Sequence, residues 1–245
     1  MKAERKKNAE LSDYEGMDLR EMEYGELVDH YGKRRRYALD LIAPTGKEGP
    51  FPVVMFIHGG GFSLPCTKRQ RYIPVFARIF TSQGWAVAAP EYPVFDTYPE
   101  AAAAGERAGA VKAAEAIKTA YSFLASNSGD LRIDMGKCAL IGGSAGGWAS
   151  FYALSMYPGL FKAFINLWGP PETVPDVSSF PPTVSVHGTS DKLVPYSREK
   201  AVQDALEEKG IKHTLVTLEG LGHTPVDERE QYLPEVMKCL SAVLG

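Results

Sequence analysis

Four glycines surround a single serine at Ile141–Gly147, the stretch IGGSAGG. Glycine costs conformational entropy in any regular element, so this density indicates either a plain tight connection or a turn built to present Ser144. The apolar run Lys137–Ile141 leads into the stretch and is typical of a strand, and the helical pattern of Trp148–Met156 follows it. Between a strand and a helix, the pattern G-x-S-x-G predicts a nucleophile elbow, in which a sharp turn exposes a reactive hydroxyl. Ser144 is therefore the candidate nucleophile.

A serine hydroxyl needs a general base, and the base needs an acid that orients it. Asp191 stands in HGTSDKLVP, just past a predicted strand, and His223 stands in LEGLGHTP, just past the last predicted strand. Loops at the carboxyl ends of parallel strands meet at one edge of a sheet, so these side chains are expected to approach Ser144. We therefore predict Asp191 as the acid and His223 as the base. A structural role stays open for His223, and Asp176 and Asp227 are the alternative acids.

The remaining histidines fit the role of the base less well. His213 falls within a predicted strand, His30 in a predicted hairpin turn, and His187 at the end of a strand beside Gly188, where a hydrogen-bonded structural role is expected. His58 belongs to HGGGF, which follows the predicted strand of residues 51–57.

Three consecutive glycines leave backbone N–H groups unhindered, as the oxyanion of a tetrahedral intermediate requires. The predicted oxyanion donors are the amides of Gly60 and Gly61, together with that of Ala145 after the nucleophile. The alternative for the three glycines is a plain flexible loop.

Large side chains beside these loops are candidates for a substrate pocket, and ordinary core packing is the alternative for each. They are Phe62, Tyr92, Trp148, Trp168 and Leu193. If they line the site, a short acyl chain or an aromatic acid fits better than a charged substrate.

Strand patterns alternate with helix patterns along most of the chain. A β-hairpin is predicted over residues 23–29 and 35–42, and further strands over 51–57, 85–89, 137–141, 163–168, 183–187 and 211–218. Helices are predicted over 71–83, 101–125, 148–156, 197–209 and 228–244. This alternation predicts an α/β fold with a mostly parallel central sheet and helices on both faces. Residues 1–20 are predicted to form a polar, poorly ordered arm, and residues 21–245 a single domain.

Composition argues against several classes of protein. The formal net charge of -3 and two short basic runs, at residues 33–36 and 68–71, favour solvated surface charge over nucleic-acid binding. Three cysteines without CxxC spacing suggest no disulfide framework and no zinc site. The chain has no apolar window of transmembrane length and no signal-peptide pattern. We therefore expect a cytoplasmic protein without a membrane partner, unless an export signal has been removed.

HGGGF, GGSAGG, a late DxxVP and a final GHT, in this order, resemble the α/β-hydrolase superfamily. More narrowly, they resemble hormone-sensitive-lipase-like and compact bacterial carboxylesterases, over the chain from about Tyr24 to the last helix. Gly143 departs from that pattern, which usually has an acidic residue there. About 14 residues separate Trp168 from Thr183, too few for a helical cap domain.

The resemblance implies a serine esterase that uses Ser144, His223 and Asp191 and needs neither a metal nor an organic cofactor. The missing cap favours acetyl- or feruloyl-type esterases, which act on short-chain or carbohydrate-linked esters, over long-chain lipases. A peptidase or amidase of the same fold is the first alternative, and a non-catalytic binding protein is the second. The oligomeric state and the role of the N-terminal arm as a lid stay open.

Overall fold

One eight-stranded sheet runs through residues 8–245, the part of the chain that the computed structural model describes. The strands are β1 (Asp18–Val28), β2 (Arg34–Ala43), β3 (Phe51–Ile57), β4 (Ala86–Pro90), β5 (Ile133–Gly143), β6 (Phe164–Leu167), β7 (Thr183–Gly188) and β8 (His213–Leu218). Their order across the sheet is β1-β2-β4-β3-β5-β6-β7-β8. The pairs β1–β2 and β2–β4 are antiparallel and the other pairs are parallel. The carboxyl ends of the parallel strands therefore open on one edge of the sheet.

Helices pack on both faces of this sheet, as the sequence predicts. They are α1 (Ile73–Ser82), α2 (Tyr98–Ala104), α3 (Glu106–Ser126), α4 (Ser128–Leu131), α5 (Ala145–Met156), α6 (Ser197–Glu208) and α7 (Leu233–Leu244). Alternate side chains of β3 enter two separate apolar clusters, because successive residues of a strand point to opposite faces. Val53 and Met55 pack in the cluster that contains residues of α3 and α5, and Val54 and Phe56 in the one that contains residues of α1 and α7. The central strands are thus buried on both faces.

The structure differs from the predicted elements in two places that matter for the site. The helix predicted over residues 101–125 is divided at Gly105, whose φ of +83° suits glycine but not a continuing helix. The helix after Ser144 also begins three residues earlier than predicted, because α5 starts at Ala145 and not at Trp148.

The N-terminal arm is more ordered than predicted wherever the structure describes it. Residues 1–7 lie outside the described residues, but Leu11–Tyr14 form a short 3₁₀ helix and β1 begins within the predicted arm. Tyr14 is buried, and the Arg78 guanidinium donates hydrogen bonds to two carbonyl groups of this segment. One buried aromatic residue and one distant arginine hold the segment, and neither contact can be deduced from a polar composition.

The connection between β6 and β7 is short, as the sequence predicts. Residues 168–182 form neither a helix nor a strand. This connection therefore adds no helix or strand at the edge of the sheet where the parallel strands end.

Candidate active site

Ser144 occupies the sharp turn between β5 and α5. Its φ of 54° and ψ of -123° lie in a region that residues other than glycine rarely adopt, and such strain concentrates at functional sites. The turn needs glycine at Gly146 because an added Cβ atom there would lie 2.1 Å from the Ile57 carbonyl oxygen. Close contact between β3 and the first turn of α5 thus presents the serine, as the sequence predicts.

The predicted base lies in hydrogen-bond contact with this serine, and the predicted acid lies in hydrogen-bond contact with the base. His223 Nε2 lies 2.9 Å from Ser144 Oγ, and His223 Nδ1 lies 2.7 Å from Asp191 Oδ2. Asp191 follows β7 and His223 follows β8, so two neighbouring parallel strands deliver them to the same edge. The arrangement lets His223 accept the serine proton while Asp191 holds the imidazole.

The Asp191 carboxylate is built to stay ionised. Burial alone would raise its pKa, but the His223 ring and the amides of Val194 and Leu193, which donate to it, hold the pKa below its usual value. The alternative acids are placed differently: Asp176 accepts hydrogen bonds from Ser178, and Asp227 lies on the wall of the cavity.

The glycine loop after β3 offers free backbone donors beside Ser144. Gly60 and Gly61 have φ values of +110° and +64°. Within residues 8–245, neither amide donates to a protein acceptor, and both glycines line the same cavity as Ser144. Ala145 is the first residue of α5, where an amide has no intrahelical acceptor and the helix dipole favours negative charge.

Two side chains that the sequence did not single out hold this loop. The Gly59 amide donates to Gln70 Oε1 and to Tyr72 Oη, each at 2.8 Å. A Cβ atom at Gly143 would lie only 2.8 Å from the same Tyr72 oxygen. The Tyr72 side chain therefore occupies the space that the acidic residue of the hormone-sensitive-lipase-like pattern would need.

An open cavity of about 1110 Å³ lies above Ser144 and His223. Three of the predicted pocket residues, Phe62, Trp148 and Leu193, line it. Trp148 donates its indole N–H to the Pro170 carbonyl oxygen, and Leu193 is 74% exposed at the rim.

The other two predicted pocket residues, Tyr92 and Trp168, do not line the cavity. Tyr92 stacks on His58 with ring centroids 4.1 Å apart and donates its hydroxyl to the His58 carbonyl oxygen, so it supports the glycine loop from within the core. Trp168 is fully buried edge-to-face against Tyr72 and Tyr232. Both follow strands near the site, but their rings turn into the core, where large aromatic side chains bury the most apolar area.

The cavity also has charged walls that the sequence did not predict. Glu106, the first residue of α3, accepts a hydrogen bond from Arg198 at 2.8 Å, and the Arg198 guanidinium lies 5.7 Å from the centroid of the Trp148 ring. Burial raises the pKa of Glu106 more than the positive charge of Arg198 lowers it. On another wall, Ser12 and Asp13 bring the N-terminal segment to the cavity. Contacts this distant along the chain leave no local sequence signal.

Two further observations concern cofactors and membranes. Within the described part of the chain, no group of three or more His, Cys, Asp or Glu side chains could hold a metal ion. Among the helices of residues 8–245, none combines the length and apolar character that crossing a membrane requires.

A parallel sheet with helices on both faces, a serine at the turn after its fifth strand, and a histidine and an aspartate after its last two strands define an α/β hydrolase. The sequence model of the BD-FAE family matches residues 39–167, just over half of the chain. The chain therefore belongs to the BD-FAE family. No curated protein matches it in sequence.

Solved structures share this fold at low sequence identity. A bacterial heroin esterase is 20% identical with a TM-score of 0.70, and the alignment covers 95% of this chain and 86% of that one. A dienelactone hydrolase-like promiscuous phosphotriesterase from metagenomic libraries is 21% identical with a TM-score of 0.71, over 94% and 100% of the two chains. A puromycin-hydrolyzing peptidase from Mycobacterium tuberculosis is 19% identical with a TM-score of 0.71, over 94% of this chain and 40% of that longer one.

Proposed function

We propose that the chain is a serine carboxylesterase that hydrolyses short-chain or carbohydrate-linked esters through an acyl-enzyme intermediate. The observation that carries this proposal is a pair of hydrogen bonds: His223 Nε2 lies 2.9 Å from Ser144 Oγ, and His223 Nδ1 lies 2.7 Å from Asp191 Oδ2. The free amides of Gly60 and Gly61 on the same cavity support it.

In the first half of the proposed reaction, Ser144 Oγ attacks the ester carbonyl carbon and its proton passes to His223 Nε2. Asp191 stabilises the imidazolium ion that forms. The negative charge that develops on the carbonyl oxygen is held by the amides of Gly60, Gly61 and Ala145. His223 then returns its proton to the leaving alcohol, and the acyl group stays on the serine.

In the second half, water replaces the alcohol. His223 takes a proton from the water as it attacks the acyl-enzyme, and returns that proton to Ser144 as the acid leaves. Every proton in the proposed reaction moves between His223, Ser144, water and the leaving alcohol, so the reaction requires no metal or cofactor.

The walls of the cavity support the substrate class. Phe62, Trp148 and Leu193 offer an apolar surface for a short or aromatic acyl group. Ser12 and Asp13 line the same cavity and offer hydrogen bonds to a hydroxyl-rich alcohol. The open connection between β6 and β7 provides no cap to enclose a long acyl chain.

A peptidase or amidase is the second candidate, and its supporting observation is the likeness to the puromycin-hydrolyzing peptidase. The same three side chains can open an amide, so substrates have to separate the two classes. Hydrolysis of p-nitrophenyl acetate and an acetylated sugar without hydrolysis of aminoacyl p-nitroanilides supports the esterase. The reverse pattern supports the peptidase.

The decisive variant is Ser144→Ala. We expect it to retain the wild-type melting temperature within a few degrees and to lose turnover of p-nitrophenyl acetate by at least about a thousandfold. A fluorophosphonate probe should label the wild type and not the variant. An unlabelled wild-type protein without ester turnover would favour the non-catalytic binding protein. Activity on p-nitrophenyl palmitate above that on acetate would contradict the short-chain preference.

A further inference from the structure

A charged pair lies on the cavity wall close to the nucleophile. Trp148 lies on α5 four residues after Ser144, roughly 6 Å further along the helix axis. The Arg198 guanidinium of α6 lies 5.7 Å from the centroid of the Trp148 ring, and its Nη1 atom donates to Glu106 Oε2 at 2.8 Å. These three side chains and Ser144 line the same cavity, so a bound ester can reach the pair.

The surroundings of the pair fix its position. Trp148 donates its indole N–H to the Pro170 carbonyl oxygen at 3.0 Å, and Glu106 Oε1 accepts the Glu172 amide at 2.8 Å. The side chains of Glu106 and Arg198 are only 13% and 23% exposed. A ligand that binds here meets groups already in place, which lowers the entropic cost of binding.

The Arg198 guanidinium has donors that the protein leaves unused. Among residues 8–245, the bond from Nη1 to Glu106 is the only hydrogen bond that this side chain donates. Its Nη2 atom lies 4.0 Å from Glu172 Oε2, which is longer than a hydrogen bond. Since a guanidinium carries five N–H groups, those of Nε and Nη2 remain for a group in the cavity.

An ion pair that only joins α3 to α6 is the alternative role for these residues. Replacement of a buried ion pair by apolar side chains is often neutral for stability, so stability alone gives no reason for charges at this position. The neighbouring wall of Phe62 and Trp148 is apolar. A purely apolar ligand would remove water from Arg198 without replacing its hydrogen bonds, which is unfavourable. The pair therefore suits a ligand with a polar group.

The charges favour a neutral hydroxyl group as that polar group. Glu106, Glu172 and Arg198 supply two carboxylates and one guanidinium to the cavity, so a substrate carboxylate meets an excess of negative charge. A substrate ammonium group has no acceptor to offer the Arg198 N–H groups. A hydroxyl group can accept from Arg198 and donate to a carboxylate oxygen at the same time.

We propose that Arg198 and Glu106, beside the Trp148 ring, form a subsite that binds a neutral hydroxyl group of the substrate and sets the specificity of the active site. The hydroxyl group belongs to the acyl part of the ester or to its alcohol part, and paired ligands distinguish these two sources. The subsite rests on the proposed function, because it takes the substrate to be an ester bound at Ser144.

Ligand binding to the Ser144→Ala protein, measured by isothermal titration calorimetry, tests the subsite without turnover. In the acyl arm, methyl p-coumarate is compared with methyl cinnamate, which lacks only the phenol hydroxyl. In the alcohol arm, an acetylated methyl glucoside is compared with tetrahydropyran-methyl acetate, which has the same ring without hydroxyl groups. We expect the Kd of the hydroxylated ligand to be roughly ten- to a hundredfold lower in at least one pair, and that pair identifies the source.

Two variants of the Ser144→Ala protein assign this preference to the pair. Arg198→Met/Glu106→Leu replaces both charges with apolar side chains, and the two Kd values should then agree within about twofold. The matched control is Lys200→Met, which breaks an exposed ion pair with Asp204 on the same helix and should keep the preference.

Equal Kd values within both ligand pairs would overturn the proposal, and so would a preference that the folded double variant retains. Folding is checked by near-UV circular dichroism. If the double variant does not fold, Arg198→Lys decides, because it keeps a positive charge opposite Glu106 without the fork of N–H donors. Its preference should fall by at least about threefold, and an unchanged preference would overturn the proposal.

The outcome for the subsite is separate from the outcome for ester hydrolysis. Calorimetry reports binding alone, whereas turnover of p-nitrophenyl acetate by the wild type reports the proposed reaction. A protein that prefers the hydroxylated ligand but hydrolyses no ester would contradict the proposed function and not the subsite. An active esterase with equal Kd values would contradict the subsite and not the function.

Discussion

A single methyl group at Gly143 tests whether the packing of Tyr72 sets the geometry of the glycine loop after β3, which contains Gly60 and Gly61. The added Cβ atom of Gly143→Ala would lie 2.8 Å from Tyr72 Oη and 3.1 Å from Tyr72 Cζ. Tyr72 cannot move aside freely, because its ring packs against Phe56 at 5.7 Å and Trp168 at 6.1 Å between centroids. Its hydroxyl also accepts the Gly59 N–H at 2.8 Å.

The expected magnitude follows from this crowding. Overpacking of a filled core costs about 1–3 kcal/mol, which lowers the melting temperature of a chain of this size by roughly 2–12 °C. Displacement of the Tyr72 hydroxyl also shifts Gly59 and the two amides that follow it. Since removal of one oxyanion donor costs about 10²–10³ in kcat, a displaced loop should lose at least about tenfold.

Thermal unfolding by circular dichroism and kcat on p-nitrophenyl acetate measure the two effects. The matched control is Gly129→Ala, where the added methyl group meets no atom within 4 Å, and we expect it to keep wild-type stability and turnover. Adding Tyr72→Phe to Gly143→Ala removes the oxygen at 2.8 Å and leaves the ring carbon at 3.1 Å, so part of the melting temperature should return. A Gly143→Ala variant with wild-type melting temperature and kcat would refute the reasoning, as would a double variant that recovers nothing.

Three further predictions test the cavity and its supports. Leu193→Ala should change stability by less than about 0.5 kcal/mol but raise KM for bulky esters, whereas Trp168→Ala should cost about 3–5 kcal/mol; denaturant unfolding and KM separate them. Ser12→Trp should raise KM for an acetylated sugar more than for p-nitrophenyl acetate, and equal changes would contradict our assignment of that wall. Burial lowers the pKa of His58 from 6.5 to about 4, so the unfolded chain binds more protons between these pH values. Stability should therefore fall by on the order of 3 kcal/mol as the pH drops through that interval. His58→Phe, which keeps the stack on Tyr92, should flatten this slope in melting temperature against pH.

The parts of the site that could be predicted from the sequence are those whose chemistry is local. Ser144 lies between a strand pattern and a helix pattern, and the glycines beside it indicate a sharp turn within a few residues of sequence. Asp191 and His223 could be chosen because each follows a strand, and the strand ends of a parallel sheet meet at one edge. The hydrogen-bonded arrangement of these three side chains is the geometry that those positions predict.

The parts that could not be predicted depend on contacts between distant segments. Residues near strand ends can turn into the core or into the cavity, and the sequence does not distinguish Trp148, which lines the cavity, from Trp168, which is buried. The described part of the N-terminal arm packs through Tyr14 and Arg78, so its polar composition was misleading.

The sequence by itself determined the α/β-hydrolase fold and the positions of Ser144, Asp191 and His223 at the carboxyl edge of its sheet, because periodicity and glycine placement are read within single elements. Only the tertiary structure decided which walls the substrate meets. Tyr72 behind Gly143 and Arg198 on Glu106 are brought together by the stacking of elements far apart in the chain. A side chain's partners across such distances depend on which faces pack together, and no local pattern encodes that choice.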